Sequence, residues 1–214
     1  MDDKIKVYKI QNGKLKFVIK DFRINFYNKI LNNPILQNKY LIKRIQLILL
    51  NSKGEIIVQL RNESRVQNPG MFDKSVGGHV VDEDSYEKTL YKECDEELGI
   101  IPIIFKGDNE YKTNIQKNIL KKVALVKEIG YQINVKSLRV LKNNKIIKVF
   151  YIQKIYLGYY DGNFKFNDNE VSLIKKYSLK NLKDCIKKTP ELYTYDLKQL
   201  IKKYSILIKP INKV

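Results

Sequence analysis

Apolar and polar positions alternate at the start of the chain. KIKVYKI (4–10) and KLKFVI (14–19) flank Asn12-Gly13, a pair suited to the tight turn of a β-hairpin. DFRINFYNKIL follows, and with Asp21 as N-cap it predicts a short helix that stops at the Asn-Asn-Pro of 32–34. RIQLILL (44–50) and EIIVQLR (55–61), joined by NSKG, are nearly all apolar in the middle, as buried strands are, and read as a strand pair. From Ser85 to Leu98 the period changes. Tyr86, Leu90 and Cys94 recur at i, i+4 and i+8 as one face of a helix, with Asp84 or Ser85 to cap it and Gly99 to stop it.

The second half is less regular. A helix is expected around IQKNILKKVALVKEI (115–129), then a long aromatic and β-branched strand, KVFYIQKIYLGYY (148–160), turned by Asp161-Gly162-Asn163. Terminal helices are expected over 178–188 and 195–204, separated by TPELYT. Strands and helices intersperse without a βαβ rhythm, so the expected class is α/β in the broad α+β sense, a mixed sheet covered by helices.

Composition narrows the chemistry. The 214 residues suit one domain with an appendage, and 43% hydrophobic with 30% charged residues is the profile of a folded chain. Cys94 and Cys185 lack metal-ligand spacing, the first residues (MDDKIKVYKI) have no apolar core for a signal peptide, and no stretch is apolar enough to span a bilayer. A reducing, cytoplasmic setting with no membrane partner is the expectation. The net charge of +18 comes mostly from scattered lysines, in a chain rich in Asn, Ile and Tyr and devoid of Trp. Such charge fits compositional drift, and it also suits RNA or a phosphate-rich small molecule as partner.

Against that background one segment stands apart. Eight of the 23 acids lie between Asp82 and Glu97, directly behind Gly77-Gly78. On a helix Glu93, Glu96 and Glu97 occupy i, i+3 and i+4, so like charges share one face and repel. A divalent cation relieves that repulsion, and carboxylate oxygens suit the hard ions Mg²⁺ or Mn²⁺. The bare backbone of Gly77-Gly78 can approach the same ion with a carbonyl.

From Gly78 to Ile100 the sequence resembles the Nudix box, G-x5-E-x7-R-E-U-x-E-E-x-G-U, with U apolar. Gly78, Glu93, Glu96, Glu97 and Gly99 match, and Ile100 fills the last apolar position. Cys94 takes the first apolar slot, Asp84 stands for Glu and Lys92 for Arg. The wider stretch 49–100, with its Pro-Gly and Gly-Gly-His, is similar to the isopentenyl-diphosphate-isomerase-like branch of the Nudix hydrolases, as are NDNEVSLIKKYSLKNL and TPELYTYDLKQLIKKY further on.

The resemblance implies a Nudix-type α/β/α sandwich over 41–205, with an insertion around 101–147. Residues 1–40 would form an N-terminal extension and 206–214 a tail. It implies Glu93, Glu96 and Glu97 as catalytic metal ligands for Mg²⁺ or Mn²⁺, with Gly77 and Gly78 offering a carbonyl. Lys92 would orient the site, pairing with Asp84 or a catalytic Glu, although a lysine cannot form the bidentate fork of arginine. Arg61, Arg65 and Lys74 fall where substrate should lie, and Glu170 where an extra acid often stands.

In isoprenoid isomerases the position of His79 is a metal ligand that works with other histidines and a cysteine. This chain has no second histidine and Gly77 replaces the cysteine, so isomerase chemistry is not expected and His79 reads as structural or as a contact to substrate. Cys94, Tyr159 and Tyr160 read as core. The implied activity is hydrolysis of a diphosphate linkage in a nucleoside diphosphate joined to another moiety. The alternatives are an RNA-cap or RNA-end enzyme and a non-catalytic binding or regulatory module. The N-terminal hairpin offers a homodimer surface.

Overall fold

The computed structural model describes residues 3–107, 109–111 and 119–211. Lys4–Gln11 (β1) and Lys14–Phe22 (β2) form the expected hairpin, with Asn12 and Gly13 both at positive φ in its turn. The helix Arg23–Asn32 (α1) follows directly. Asp21 is not its N-cap: that place falls to Phe22, which caps with no side chain, while Asp21 accepts hydrogen bonds from Phe22 N–H and Asn25 Nδ2.

Leu41–Leu50 (β3) is the spine. It runs parallel to Ile146–Tyr159 (β8), from Leu41 opposite Phe150 to Leu50 opposite Tyr159. Ile56–Arg61 (β4), which the sequence pairs with it, meets β3 only at Leu50 and Ile56. β4 then swings away to pair with Phe72–Asp73 (β5) and, antiparallel, with Val171–Tyr177 (β9). Both β3 and β4 are apolar on both faces, which lets each sit inside the sandwich without being the other's neighbour.

The expected helix over 115–129 is overturned where it can be seen. Residues 115–118 lie outside the described residues, Ile119–Lys121 is a 3-10 turn, and Ala124–Val140 (β7) is a strand. Its lysines, alanine and leucines favour a helix locally, but β8 supplies an antiparallel partner from Leu125↔Tyr159 to Val140↔Ile146, and tertiary pairing outweighs propensity. Pro102–Phe105 (β6) adds to β7 in parallel, so the main path reads β2-β1-β3-β8-β7-β6.

Three buried clusters show how the layers stack. Ile45, Leu47 and Leu49 of β3 face the helix Tyr86–Leu98 (α2) through Leu90, Cys94 and Leu98. The alternate residues Ile48 and Leu50 face the other way, toward Leu182 of Leu179–Lys188 (α3) and Leu197, Leu200 and Ile201 of Tyr195–Tyr204 (α4). The two-residue period of one strand thus builds both halves of an α/β/α sandwich. A third cluster joins Ile5, Val7, Phe26, Tyr27 and Ile30 to Ile42, Leu141, Ile147, Val149 and Tyr151, docking the N-terminal hairpin and α1 onto the far end of the β7–β8 ribbon. No helix among the described residues is long and apolar enough to cross a membrane.

Candidate active site

α2 is built as its sequence reads. Ser85 Oγ accepts from Lys88 N–H at 3.0 Å as the N-cap. Gly99 closes the helix in the left-handed region at φ 63°, its N–H reaching Asp95 O while Ile100 N–H reaches Cys94 O. Residues 76–80 run alongside β3: Leu47 N–H donates to Val76 O, Ile45 N–H to Gly78 O and Val80 N–H to Lys43 O, each near 2.9–3.0 Å. That lacing brings Gly77 and Gly78 under the last turns of α2. A Cβ at Gly78 would meet the Glu93 carboxylate and one at Gly77 the end of the Lys74 side chain, so both side chains approach the bare backbone closely.

The three glutamates are not equivalent. Glu97 is fully buried: its Oε2 accepts from Gln59 Nε2 at 3.1 Å and Gly77 N–H at 3.4 Å, while Oε1 has no hydrogen-bond partner. Burial, then the charges of Glu93 and Glu170, push its pKa well above the ordinary carboxylate range. Glu93 is pushed up to about 8, chiefly by burial and then by Glu170 and Glu96, with Lys92 and Arg23 holding it back in part. Glu96, more open, is raised as well, mainly by burial.

Among the described residues no three His, Cys, Asp or Glu side chains are drawn close enough together to cage an ion. The chemistry of the donor set nevertheless fits a hard divalent cation. A buried carboxylate oxygen without a partner and mutually repelling glutamates are both relieved by positive charge. Gly78 O already accepts from Ile45 N–H, which leaves it one further lone pair.

Beside these carboxylates opens a cavity of about 490 Å³. Gly77, Gly78, Lys92, Glu93, Glu96, Arg61, Arg65, Lys74 and Glu170 all line it, so the fold brings together every expected site residue except Glu97, which lies behind the wall. Of the two pairings expected for Lys92, the one with a box glutamate is present, at 4.0 Å from Glu96, while Asp84 pairs with Lys88 at 2.5 Å and not with Lys92. The reason is geometric: Lys88 sits one turn from Asp84 and meets it first. Arg65 reaches Glu170 at 2.5 Å, while Lys74 and Arg61 lie 3.0 and 3.6 Å from Asp73.

Sequence reasoning missed several participants. Asp73 is wholly buried, accepts from Thr194 Oγ1 at 2.6 Å and anchors two of the cations. Arg44 and Arg139 line the cavity and converge on buried Asp196 at 2.6 and 2.9 Å. α1 contributes Arg23, Ile24, Tyr27, Asn28 and Leu31. His79 lies on the cavity wall, sharing a hydrogen bond with Tyr27 OH at 2.9 Å, and burial followed by nearby arginines keeps its pKa well below the usual value. Cys94 is buried core. Apart from Asp73 beside Lys74, these pairings had no signal in the chain, because the partners lie far apart in sequence.

No protein-family model matches the chain. It is 42% identical over 77 residues to an uncharacterized Nudix hydrolase of Pseudomonas aeruginosa, covering 36% of this chain and 46% of that one. It is 31% identical over 102 residues to a prenyl-diphosphate phosphatase of Methanosarcina mazei, covering 44% of this chain and 59% of that one. The chain thus spans about half the length of these curated relatives. The crystal structure of DR0079 from Deinococcus radiodurans superposes with a TM-score of 0.57 at 18% identity, over 92% of this chain and 98% of that one.

The fold is the Nudix fold. Gly78 to Ile100, which resembles the Nudix box, forms the loop and helix α2, and the chain resembles Nudix hydrolases in sequence as well as in architecture. α2 presents Glu93 and Glu96 to a cavity lined in part by residues ahead of the stretch that the sequence resemblance covers.

Proposed function

We propose that this chain is a divalent-metal-dependent Nudix hydrolase that cleaves a diphosphate linkage in a nucleoside diphosphate joined to another moiety. The observation that carries the reading is the meeting of Glu93, Glu96 and buried Glu97 with Gly77-Gly78 on one side and a cation-rich cavity on the other. Glu93, Glu96 and Glu97, with a carbonyl of the Gly77-Gly78 turn, would hold Mg²⁺ or Mn²⁺. When bound there the ion supplies charge neutralisation and polarisation of phosphorus.

The protein's own groups do the rest. Arginines and lysines of the cavity bind and orient the phosphates. One of the glutamates positions the attacking water and takes its proton as the P–O bond to the leaving phosphate breaks.

A second reading concerns the group carried beyond the diphosphate. The cavity lining includes exposed Ile24 and Val66 with Leu31 and Leu141, while the Tyr27 ring is buried against His79 and Tyr151 and offers no face for a base. An aliphatic, prenyl-type diphosphate suits that lip, and one of the relatives is named a prenyl-diphosphate phosphatase.

Hydrolysis should be screened with Mg²⁺ and Mn²⁺ on diphosphate-linked nucleotides, prenyl diphosphates and capped RNA, beside Glu97→Gln. Cleavage of the diphosphate linkage in one class, followed by its phosphorylated products and reduced about ten- to a hundredfold or more in the variant, is expected, since even residues behind a metal's ligands are worth that much. No turnover of any substrate, or activity that survives Glu97→Gln, would remove the enzymatic reading.

A further inference from the structure

Seven cationic side chains line the cavity, and six of them already have an acid. Arg44 and Arg139 share Asp196, Arg61 and Lys74 share Asp73, Arg65 has Glu170 and Lys92 stands by Glu96. Arg23 is the exception. Among the described residues its guanidinium makes no hydrogen bond and no ion pair, although its backbone N–H donates to Asp3 O at 2.9 Å.

Its position is costly as well as solitary. Arg23 is the first residue of α1, where the helix dipole disfavours a cation, and the first turn contains no acid to compensate. The side chain is half-buried rather than free in solvent. Nor can the helix drift away from the site. Phe26, Tyr27 and Ile30 are sunk in the third core cluster, and Tyr27 OH is hydrogen-bonded to both His79 and Tyr151. A rigid mount therefore holds, on the wall of a cavity that also contains Glu93 and Glu96, a guanidinium that has no contact ion pair.

We propose that Arg23 binds substrate, its guanidinium taking a phosphate oxygen of the diphosphate held against α2. α1 is then part of the active-site wall rather than an appendage to it, and the phosphate partner is supplied by a segment that the Nudix resemblance does not reach. Arginine suits the task because its fork can engage two oxygens of one phosphate. The inference rests on the hydrolase reading only for the diphosphate being a substrate; the binding itself stands apart from turnover.

The test uses imidodiphosphate, a diphosphate that cannot be hydrolysed, titrated calorimetrically into the full chain with Mg²⁺. Arg23→Ala should weaken binding by about ten- to a hundredfold, the worth of a charge-assisted hydrogen bond. Arg23→Lys should recover part of the loss. Lys183→Ala, which removes the same charge from an exposed position on α3, should bind as the native chain does. Circular-dichroism melts of Arg23→Ala should stay close to the native protein, since no hydrogen bond or contact ion pair is broken.

Equal affinity of the native chain and Arg23→Ala would overturn the proposal while leaving the hydrolase reading intact. So would a native chain that does not bind the diphosphate at all, or a Lys183→Ala loss as large as that of Arg23→Ala. Binding that depends on Arg23, in a protein that hydrolyses nothing, would uphold the proposal and remove the hydrolase reading instead.

Discussion

Asp196 is the residue on which the buried electrostatics turn. Burial alone would raise its pKa, but Arg139 and Arg44 outweigh that and hold it far below the usual carboxylate range. A depressed folded pKa means the unfolded chain takes up the proton first as pH falls. The stabilisation is therefore complete above the unfolded value of about 3.9 and is lost as pH drops below it toward the folded pKa. Asp196→Asn should destabilise the fold by about 3–5 kcal/mol at pH 7, because it strands two buried guanidiniums. Its deficit against the native protein should shrink as denaturation is repeated from pH 5 down to pH 3. A deficit that stays constant with pH would mean that the charge at Asp196 is not what the arginines need. Nothing near Arg44 in the sequence announces Asp196, which lies 152 residues further along the chain. The box glutamates were legible because their meaning is local to one helix face, whereas a buried pair of this span exists only once the sheet is assembled.

At the scale of elements, α2 was readable to its ends. Its buried face repeats at helical spacing, Ser85 caps it and Gly99 stops it, all within the segment itself. Ser85→Ala should cost about 1 kcal/mol in a urea titration, the usual worth of a Ser N-cap, and should leave hydrolysis nearly unchanged because the glutamates lie at the other end of the helix. An unchanged urea midpoint would assign the start of the helix to Thr89 and the backbone instead. β7 was unreadable for the opposite reason. KKVALVKEI carries good helix formers, and its strand state is imposed by β8, whose pairing no window of β7 contains. β4 likewise announced itself as a strand but not its neighbour, since two-sided apolar strands carry no mark of which edge they will meet.

The whole molecule depends on its first forty residues more than an extension would require. Ile5, Val7, Phe26 and Ile30 cover Ile42, Ile147, Val149 and Tyr151, and the same segment forms a wall of the cavity. Removing residues 1–40 should expose those side chains at roughly 1.5–3 kcal/mol each. The shortened chain should melt lower and self-associate in sedimentation velocity. A well-behaved monomer with the native melting temperature would show the hairpin and helix to be dispensable to the fold.

The parallel pairing of β3 with β8 carries a different consequence, one of timing. Residues 41–50 find their long partner only at 150–159, so a chain growing from its N-terminus makes the spine of its sheet long before the strand that completes it. Until then both apolar faces of β3 lack their full cover, and α2 has no finished floor on which to set its glutamates. Contacts of such long sequence separation slow folding and prolong the exposure of sticky intermediates. The segment that reads most clearly as chemistry is thus among those that must wait longest on the ribosome to become a site.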